Sequence, residues 1–257
     1  MDWHNLSINQ ILDIVDKFDI SKKQDIIPQL QLDERNGVKK IASRLIKEID
    51  NSNKEIDRIQ IMKKFEYIYM EKGAKYIAGI DEVGRGPLAG PVYAGAVIFP
   101  IDCFIEYVND SKKLSPQKRN ELYLKIKDKA ISTATGYCDE KIVDKINILN
   151  ATYEAMKQAI IKLKVKPDVI LIDAVRIPGI NIFQVPIIKG DELSFSIAAA
   201  SIIAKVERDK VMDEYHDIYP VYNFRSNKGY GTKEHMDAIK DYGPCKIHRE
   251  TFIKGIR

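Results

Sequence analysis

The amino-acid sequence predicts an α/β protein in which a mixed sheet is covered by helices and preceded by a small helical segment. Two observations lead to this fold class. Up to residue 72 the sequence is polar, poor in glycine and carries apolar residues at helical spacing. After Gly73, short apolar runs alternate with longer helical stretches, which indicates strands alternating with helices. We therefore expect a helical N-terminal extension over residues 1–72 and an α/β domain over residues 73–257.

The N-terminal extension is predicted to contain several short helices. Ser7 can cap the first of them, and breaks are expected around Ile27–Pro28 and Asn36–Gly37. The apolar residues that would form the buried helix faces are Ile8, Ile11, Leu12, Val15, Val38, Ile41, Leu45, Ile49, Ile59, Met62, Phe65 and Tyr69. We interpret the extension as an appendage packed on the larger domain, with a nucleic-acid-binding arm as the alternative.

The larger domain is predicted to begin with a hairpin and to continue with strands and helices in alternation. The predicted strands span residues 76–83, 90–100, 131–138, 169–173 and 182–187. The predicted helices span residues 116–130, 139–163, 191–215 and 232–242, the second of them in one or two pieces. Ser115 as the cap and Pro116 at the first helical position mark where the first of these helices begins.

Composition excludes several classes of protein. No run approaches the roughly 20 apolar residues that cross a bilayer, and the N-terminus shows no secretory signal. The three cysteines are far apart, which argues against a disulfide framework or a Cys-rich zinc site and indicates a reducing cytoplasm. The four histidines lack metal-binding spacing and are expected to be structural. A formal net charge of +4 is compatible with nucleic-acid binding.

Four carboxylates lie where apolar elements end. Asp81 and Glu82 close the run YIAGI, Asp173 closes VILI, and Asp191 opens a long predicted helix. A carboxylate in such a place is costly to bury unless a cation or a hydrogen-bond donor meets it. If the four converge, their oxygen atoms would suit Mg²⁺ or Mn²⁺. The alternative is that each is a helix cap or a surface residue, and for Asp191 alone the cap is favoured.

A glycine-rich loop follows the first pair of acids. Adjacent residues of a regular strand point to opposite faces, so Asp81 and Glu82 would share a site only if the chain bends nearby. Gly84 and Gly86 supply that freedom. Arg85, between them, adds a charge that can face a phosphate, although an ordinary turn between two strands explains the loop equally well.

Further basic residues could contact phosphates. Lys112 and Lys113 precede a predicted helix, whereas Lys205 and Arg208 lie on the long helix predicted after Asp191. Tyr230 lies among basic residues in FRSNKGYGTKEH, a composition that suits a nucleic-acid groove. The alternatives are a solvated loop for the two lysines, ion pairs for the helix residues and a packed ring for the tyrosine.

Six segments resemble the successive motifs of the ribonuclease HII family, in the family's order. They are GIDEVGRGPLAGPVYAGAVIF, DSKKLS, LIDAV, IKGDELSFSIAAASIIAKVERDKVM, KGYGTKEH and GPCKIHRETF, and they cover roughly residues 75–253. The N-terminal segment resembles the extra segment of some Gram-positive members. Arg85 favours this family over the related ribonuclease HIII, which lacks an arginine at that position.

The resemblance implies a ribonuclease H-like fold, with a five-stranded mixed sheet flanked by helices and a helical C-terminal part. It implies an endonuclease that cuts the RNA of RNA–DNA hybrids and also cuts 5′ of single ribonucleotides embedded in duplex DNA. The reaction would be a two-metal-ion hydrolysis with Mn²⁺ or Mg²⁺, leaving 3′-hydroxyl and 5′-phosphate ends. Removal of ribonucleotides from DNA and of RNA primers would be its roles, and by analogy we expect a monomer.

The resemblance also assigns site residues. Asp81, Glu82, Asp173 and Asp191 would be the catalytic acids and metal ligands. The Gly84–Arg85–Gly86 loop would contact the 2′-hydroxyl at an RNA–DNA junction, and Tyr230 would stack on the adjoining deoxyribose. In the mechanism that these assignments imply, the residues that would hold flanking phosphates are Lys112, Lys113, Lys205 and Arg208.

Overall fold

A five-stranded mixed sheet forms the centre of the larger part of the chain in the computed structural model, which describes residues 3–256. The strands are β1 (Ile77–Val83), β2 (Val92–Ile98), β3 (Ser132–Cys138), β4 (Val169–Asp173) and β5 (Phe183–Ile187). Their order across the sheet is β3-β2-β1-β4-β5. Because β1 pairs antiparallel with β2 and parallel with β4, the sheet is mixed, as the sequence predicts.

Ten α-helices accompany the sheet within the described residues. They are α1 (Ile8–Val15), α2 (Ile20–Gln31), α3 (Asn36–Met62), α4 (Lys64–Glu71), α5 (Pro116–Lys129), α6 (Glu140–Ile161), α7 (Gly190–Leu193), α8 (Phe195–Ile218), α9 (Phe224–Asn227) and α10 (Lys233–Tyr242). The chain divides into two compact units within α3, one ending at Arg58 and one beginning at Ile59. The boundary predicted after residue 72 stays a prediction. Met1, Asp2 and Arg257 lie outside the described residues.

The smaller unit is a cluster of helices with its own apolar core. Ser7 begins α1 with a capping box, since its hydroxyl accepts from the Gln10 N–H and the Gln10 side chain accepts from the Ser7 N–H. The core consists of Trp3, Ile11, Val15, Leu30, Val38, Ile41, Ala42 and Leu45. The break predicted at Pro28 is wrong, because α2 continues to Gln31. A proline removes one helical hydrogen bond, and here the helix ends only three residues later.

In the larger unit, helices cover both faces of the sheet. α8 packs so closely on one face that a Cβ atom at Gly79 or Gly95 would lie 2.0 or 2.3 Å from the α8 backbone. α6 packs on the opposite face in the core that contains Ala78 and Ile80. Side chains alternate along a strand, so Asp81 lies on the face covered by α8. No helix among residues 3–256 is long and apolar enough to cross a membrane.

Two of the predicted helices are interrupted at residues where the apolar pattern of the sequence continues. α6 is divided into two pieces at Asn147, whose φ is +65°, in agreement with one of the two predicted alternatives. The single helix predicted over residues 191–215 is wrong, because α7 ends at Leu193 and α8 begins at Phe195. Between them Ser194 is extended, and its hydroxyl accepts a hydrogen bond from the Ile197 N–H, which starts a new helix.

Candidate active site

The four predicted acids lie around one edge of the sheet. Asp81 and Glu82 are near the end of β1, and Asp173 ends β4, the strand that runs parallel beside β1. Parallel neighbouring strands end at the same edge of a sheet, where ligands of α/β proteins commonly bind. Asp191 lies in α7, and the preceding Gly190 donates its N–H to Asp173 Oδ1 at 2.7 Å. This hydrogen bond ties Asp191 to the same edge.

Asp81 and Glu82 approach the edge from opposite faces. β1 stays paired with β2 through Val83, so the side chains alternate and the expected bend is absent. The two carboxylates nevertheless come close enough at the edge of the sheet for the charge of Glu82 to raise the pKa of Asp81. Asp81 is buried on the α8 face, where the Ser201 hydroxyl donates a hydrogen bond to it. Glu82 lies beside Arg85, whose Nη1 donates to Glu82 Oε1 at 3.3 Å.

Burial and mutual repulsion disfavour the ionised forms of these acids. Burial and the charge of Glu82 raise the pKa of Asp81 well above its ordinary value. Burial also raises the pKa of Glu82, and the charge of Asp173 adds to this rise against the lowering effect of Arg85. The pKa of Asp173 is raised by burial and by the charge of Asp191. The acids therefore lie close enough together to influence each other's charge.

Lys112 supplies positive charge within this acidic group. Its Nζ lies 3.4 Å from Asp191 Oδ2 and 4.0 Å from Asp110 Oδ1. Burial lowers the pKa of Lys112, but the charges of Asp110, Asp191 and Asp81 outweigh it, so the pKa is raised. The Lys112 side chain is 77% exposed, and its ammonium group is therefore free to turn towards a phosphate.

The donor atoms of the acids suit a hard divalent cation. Oε2 of Glu82 is buried and accepts no hydrogen bond in the described part of the chain. Such an oxygen is costly to bury, and a cation would satisfy it. Among residues 3–256, no three or more His, Cys, Asp and Glu side chains are already arranged as a ligand set.

Arg249 holds the shape of the Gly84–Arg85–Gly86 loop from beneath. Its guanidinium donates to the carbonyl oxygens of Gly84 at 2.6 Å, Arg85 at 2.9 Å and Gly90 at 2.8 Å. The Arg249 side chain is fully buried, and burial lowers its pKa to about 9. Backbone carbonyl oxygens therefore hold this buried cation in the way that a carboxylate usually does.

The loop, Glu82 and Tyr230 line one cavity of about 580 Å³. The Tyr230 ring lies over the loop, because a Cβ atom at Gly86 would be 3.7 Å from Tyr230 Cε1. The lining residues are Glu82, Val83, Gly84, Arg85, Gly86, Ser111, Lys112, Ser201, Lys205 and Tyr230. The structure thus brings the predicted loop, the predicted tyrosine and two predicted lysines together beside an acid.

Lys113 and Arg208 lie outside this lining. Lys113 Nζ is 2.8 Å from Glu192 Oε1, in an ion pair at the surface. Arg208 is fully buried and donates to the carbonyl oxygens of Pro91 at 2.9 Å and Lys228 at 3.0 Å. A guanidinium engaged in this way does not face a phosphate. Contrary to the prediction, Arg208 does not face a phosphate, because its buried guanidinium donates to backbone carbonyl oxygens beneath the loop.

Sequence patterns do not reveal the contacts made by Arg249 and Ser201. Arg249 lies in the motif GPCKIHRETF, but nothing in that pattern indicates that its charge is buried. Ser201 lies in an alanine-rich stretch of α8 that indicates only close packing. Each contacts a residue more than 100 positions away in the chain, and spacing along a sequence does not report such contacts.

Comparison with known proteins gives the family of the chain. The family model "Ribonuclease HII" matches residues 78–255, which include all four acids, the loop and Tyr230. This chain belongs to the ribonuclease HII family. It is therefore an endonuclease of the ribonuclease H class that acts on RNA–DNA hybrids. A second model, "Ribonuclease HII N-terminal domain", matches residues 7–70.

Ribonuclease HII proteins of several bacteria are similar over most of the chain. The ribonuclease HII of Clostridioides difficile (strain 630) is 51% identical over 250 residues, which are 97% of this chain and 98% of that protein. The ribonuclease HII of Caldanaerobacter subterraneus subsp. tengcongensis is 56% identical over 203 residues, 79% of this chain and 84% of that protein. Each alignment covers most of both proteins.

Solved structures of ribonucleases H share the fold. The ribonuclease H2 from Pyrococcus horikoshii OT3 is 27% identical with a TM-score of 0.58, covering 69% of this chain and 93% of that chain. The ribonuclease HII in a complex with PCNA from Archaeoglobus fulgidus is 26% identical with a TM-score of 0.57, covering 68% and 94%. The predicted ribonuclease H-like fold is confirmed.

Proposed function

We propose that this chain cuts the phosphodiester bond 5′ of a ribonucleotide, both in long RNA–DNA hybrids and at single ribonucleotides within duplex DNA. The observation that carries the proposal is the shared cavity, in which Glu82 lies beside the Gly84–Arg85–Gly86 loop and Tyr230. A loop able to recognise one sugar therefore adjoins acids able to act on the neighbouring phosphate. The products would be 3′-hydroxyl and 5′-phosphate ends.

The orientation of the loop peptides supports recognition of the sugar. The carbonyl groups of Gly84 and Arg85 point inwards to the buried Arg249. In a trans peptide the N–H group points opposite to the carbonyl, so the N–H groups of Arg85 and Gly86 point outwards. Outward N–H groups can donate to a 2′-hydroxyl, which is the group that distinguishes RNA from DNA at one residue. Tyr230, whose ring lies over Gly86, would stack on the adjoining sugar.

The acids are proposed to hold the metal ions. Asp81, Glu82, Asp173 and Asp191 would be the ligands of one or two divalent cations, Mg²⁺ or Mn²⁺. When bound, such ions supply the positive charge that activates water and stabilises the leaving oxygen in phosphodiester hydrolysis. Ser201 orients Asp81 through its hydrogen bond, and Arg85 orients Glu82.

Basic residues beside the cavity are proposed to hold flanking phosphates. Lys112 and Lys205 line the cavity itself. Lys113 can leave its ion pair with Glu192 at small cost, since an exposed pair contributes little stability. Each contact with a phosphate releases counterions, so binding should weaken as salt concentration rises.

The test is cleavage of a labelled DNA duplex with one embedded ribonucleotide, beside an otherwise identical all-DNA duplex and a long hybrid, with Mg²⁺ or Mn²⁺. We expect one cut 5′ of the ribonucleotide, none in the all-DNA duplex and none in the presence of a chelator. Cleavage of all-DNA duplex would indicate a DNA nuclease of the same fold. Tight binding without any cutting would indicate a hybrid-binding protein and would overturn the proposal.

This activity would serve the removal of ribonucleotides from DNA and of RNA primers. Its substrates would be RNA–DNA hybrids and duplexes with embedded ribonucleotides. A monomeric state and a cytoplasmic location stay predictions.

A further inference from the structure

The backbone of Tyr230 is held from beneath by two buried histidines. The carbonyl oxygen of Tyr230 lies 2.9 Å from Nδ1 of His235, and it also accepts from the N–H of Thr232 at 2.8 Å. Nε2 of His235 lies 3.0 Å from Nε2 of His248. Both imidazoles are buried, at 0% and 2% exposure. The pair therefore connects Tyr230 to the C-terminal segment of the chain.

The hydrogen bonds assign one tautomer to each ring. Nδ1 of His248 accepts from the backbone N–H of Cys245 at 2.9 Å, a shorter contact than the 3.3 Å to the Cys245 carbonyl oxygen, so we assign the proton of His248 to Nε2. Nδ1 of His235 faces a carbonyl oxygen and therefore carries its proton. Nε2 of His235 is then the acceptor for the Nε2–H of His248. This pattern of hydrogen bonds requires both rings to be neutral, because an added proton would place two N–H groups face to face between the two Nε2 atoms.

The surroundings of the pair are mostly aromatic. Tyr222 and Phe224 pack on both rings, with centroid distances between 4.8 and 6.2 Å. Two titratable groups of the described residues face the pair: the Tyr222 hydroxyl, which donates to the Gly243 carbonyl, and the Cys245 thiol, 3.2 Å from His248 Nδ1. Burial lowers the pKa of His235.

The C-terminal segment that contains His248, residues 247–249, also contacts the chain between the Gly84–Arg85–Gly86 loop and β2. The N–H of Gly90 donates to the carbonyl of Ile247 at 2.8 Å, and the N–H of Arg249 donates to the carbonyl of Leu88 at 2.8 Å. His248 lies between these two hydrogen bonds. One short segment thus contacts both the loop that recognises the sugar and, through His235, the tyrosine placed over that loop.

We propose that His235 and His248 form a neutral positioning pair that sets where the Tyr230 ring lies relative to the Gly84–Arg85–Gly86 loop. The inference rests on the proposed function, since the ring position has meaning only if Tyr230 contacts the sugar beside a ribonucleotide. The pair touches no substrate and acts through the Tyr230 backbone. Its protonation would break the connection, so recognition of the ribonucleotide should weaken in mildly acidic solution before the fold is lost.

The experiment compares two polar substitutions at one buried position. In His235→Asn the amide nitrogen takes roughly the place of Nδ1 and can still donate to the Tyr230 carbonyl. In His235→Gln the amide lies near the place of Nε2 and cannot make that bond. Both variants are made in the wild-type and in the Tyr230→Ala background. Binding to a duplex with one ribonucleotide is measured by fluorescence anisotropy without divalent metal, beside single-turnover cleavage rates and melting temperatures.

We expect His235→Gln to weaken binding by about 10-fold, which is within the loss that removal of a stacked aromatic ring causes. His235→Asn should lose much less, although it is this variant that loses the bond to His248, whereas the amide of His235→Gln can still accept from His248 Nε2. In the Tyr230→Ala background His235→Gln should add little, because the two changes act through one contact. A positioning role also predicts that wild-type affinity falls between pH 7.5 and 5.5, whereas affinity of the Tyr230→Ala variant falls less.

The outcomes separate this inference from the proposed function. If the wild type fails to cut the ribonucleotide duplex, the proposed function is wrong and the inference falls with it. If the wild type cuts but His235→Gln and His235→Asn behave alike, only the inference is wrong. Additive losses in the Tyr230→Ala background would likewise overturn it, since they would show that His235 supports the fold in general. Melting temperatures identify a variant that has merely lost its fold. In that case the test is the pH dependence of binding by the wild type and by Tyr230→Ala, which both keep His235.

Discussion

Nη2 of Arg249 lies 2.6 Å from the carbonyl oxygen of Gly84, although 165 residues separate the two in the chain. The contact belongs to a set in which one buried guanidinium meets three carbonyl oxygens of the loop and its exit. Because the carbonyls turn inwards, the N–H groups of the loop turn outwards. A buried residue thereby determines which face of the loop is exposed, and this exposed face is the one proposed to contact the sugar.

Replacing Arg249 should therefore damage both stability and activity. Arg249→Lys keeps the charge but cannot donate to three carbonyl oxygens in fixed directions. Each buried carbonyl left without a donor costs about 1–3 kcal/mol. We expect a fall in the free energy of unfolding of a few kcal/mol, together with a fall in cleavage of the ribonucleotide duplex by more than about 10-fold.

The measurements are urea unfolding and single-turnover cleavage at a temperature where the variant is folded. Arg44→Lys is the matched control, because Arg44 makes ion pairs with Asp16 and Glu48 at the surface. That control should stay within about 0.5 kcal/mol of the wild type. Full activity of Arg249→Lys would show that the loop keeps its shape without these hydrogen bonds.

Asp81→Asn should abolish cleavage while stabilising the metal-free protein. Asp81 would be a metal ligand, and changes even in groups behind the ligands commonly cost about 10–100-fold. The raised pKa of Asp81 means that its ionised form is disfavoured in the fold at neutral pH, chiefly by burial and next by the charge of Glu82. An uncharged isostere removes that penalty, so the melting temperature in a chelator should rise.

Cleavage rates in Mg²⁺ and melting temperatures with and without chelator test this prediction. The control is Asp128→Asn on the exposed face of α5, which should change neither quantity. Retention of full activity by Asp81→Asn at saturating Mg²⁺ would show that Asp81 is not part of the catalytic site.

The two glycines of the loop should respond differently to alanine. Gly84 has a φ of +91°, and a Cβ atom there would lie 2.3 Å from Arg208 Nε and 2.9 Å from the Pro91 carbonyl oxygen. Gly84→Ala is therefore expected to destabilise the fold, by about 1–2 kcal/mol for the left-handed backbone alone. At Gly86 a Cβ atom would meet Tyr230 Cε1 at an ordinary 3.7 Å.

Gly86→Ala should accordingly keep the melting temperature within a few degrees but occupy the gap between the loop and the tyrosine ring. We expect weaker binding of a duplex with one ribonucleotide and a smaller change for all-DNA duplex. Thermal melting and anisotropy titrations separate the two variants. Equal loss of stability in both would contradict the argument from backbone conformation and contact distance.

The sequence predicts most of the elements around the site because burial and periodicity are local properties. The apolar runs before Asp81 and Asp173 predict where β1 and β4 end, and these two ends define the edge of the sheet. The break between α7 and α8 could not be predicted, since the extended Ser194 interrupts an otherwise continuous helical pattern. The burial of Arg208 is equally invisible, because its partners are carbonyl oxygens, which every residue carries.

His235 gives a prediction about stability and pH. Burial lowers its pKa below the ordinary value of about 6.5, so the unfolded chain binds a proton more readily than the folded protein does. Stability that depends on neutral His235 is fully present above about pH 6.5 and declines as the pH falls below it towards the lowered pKa. In urea unfolding at pH 7.5, 6.5 and 5.5, the stability of the wild type relative to His235→Asn should therefore decrease as the pH falls.

The matched control is His216→Asn, because His216 lies outside the pair and on α8. Between pH 7.5 and 5.5, the stability of this control relative to His235→Asn should decrease as the pH falls. The measured quantity is the difference in free energy of unfolding between the two variants at each pH, because the buried acids affect stability in the opposite direction as the pH falls. Protonation of Asp81 and Glu82, whose pKa values are raised, removes charge that the fold disfavours and stabilises the protein as the pH falls. Parallel profiles for the two histidine variants would show that His235 is not the group that titrates.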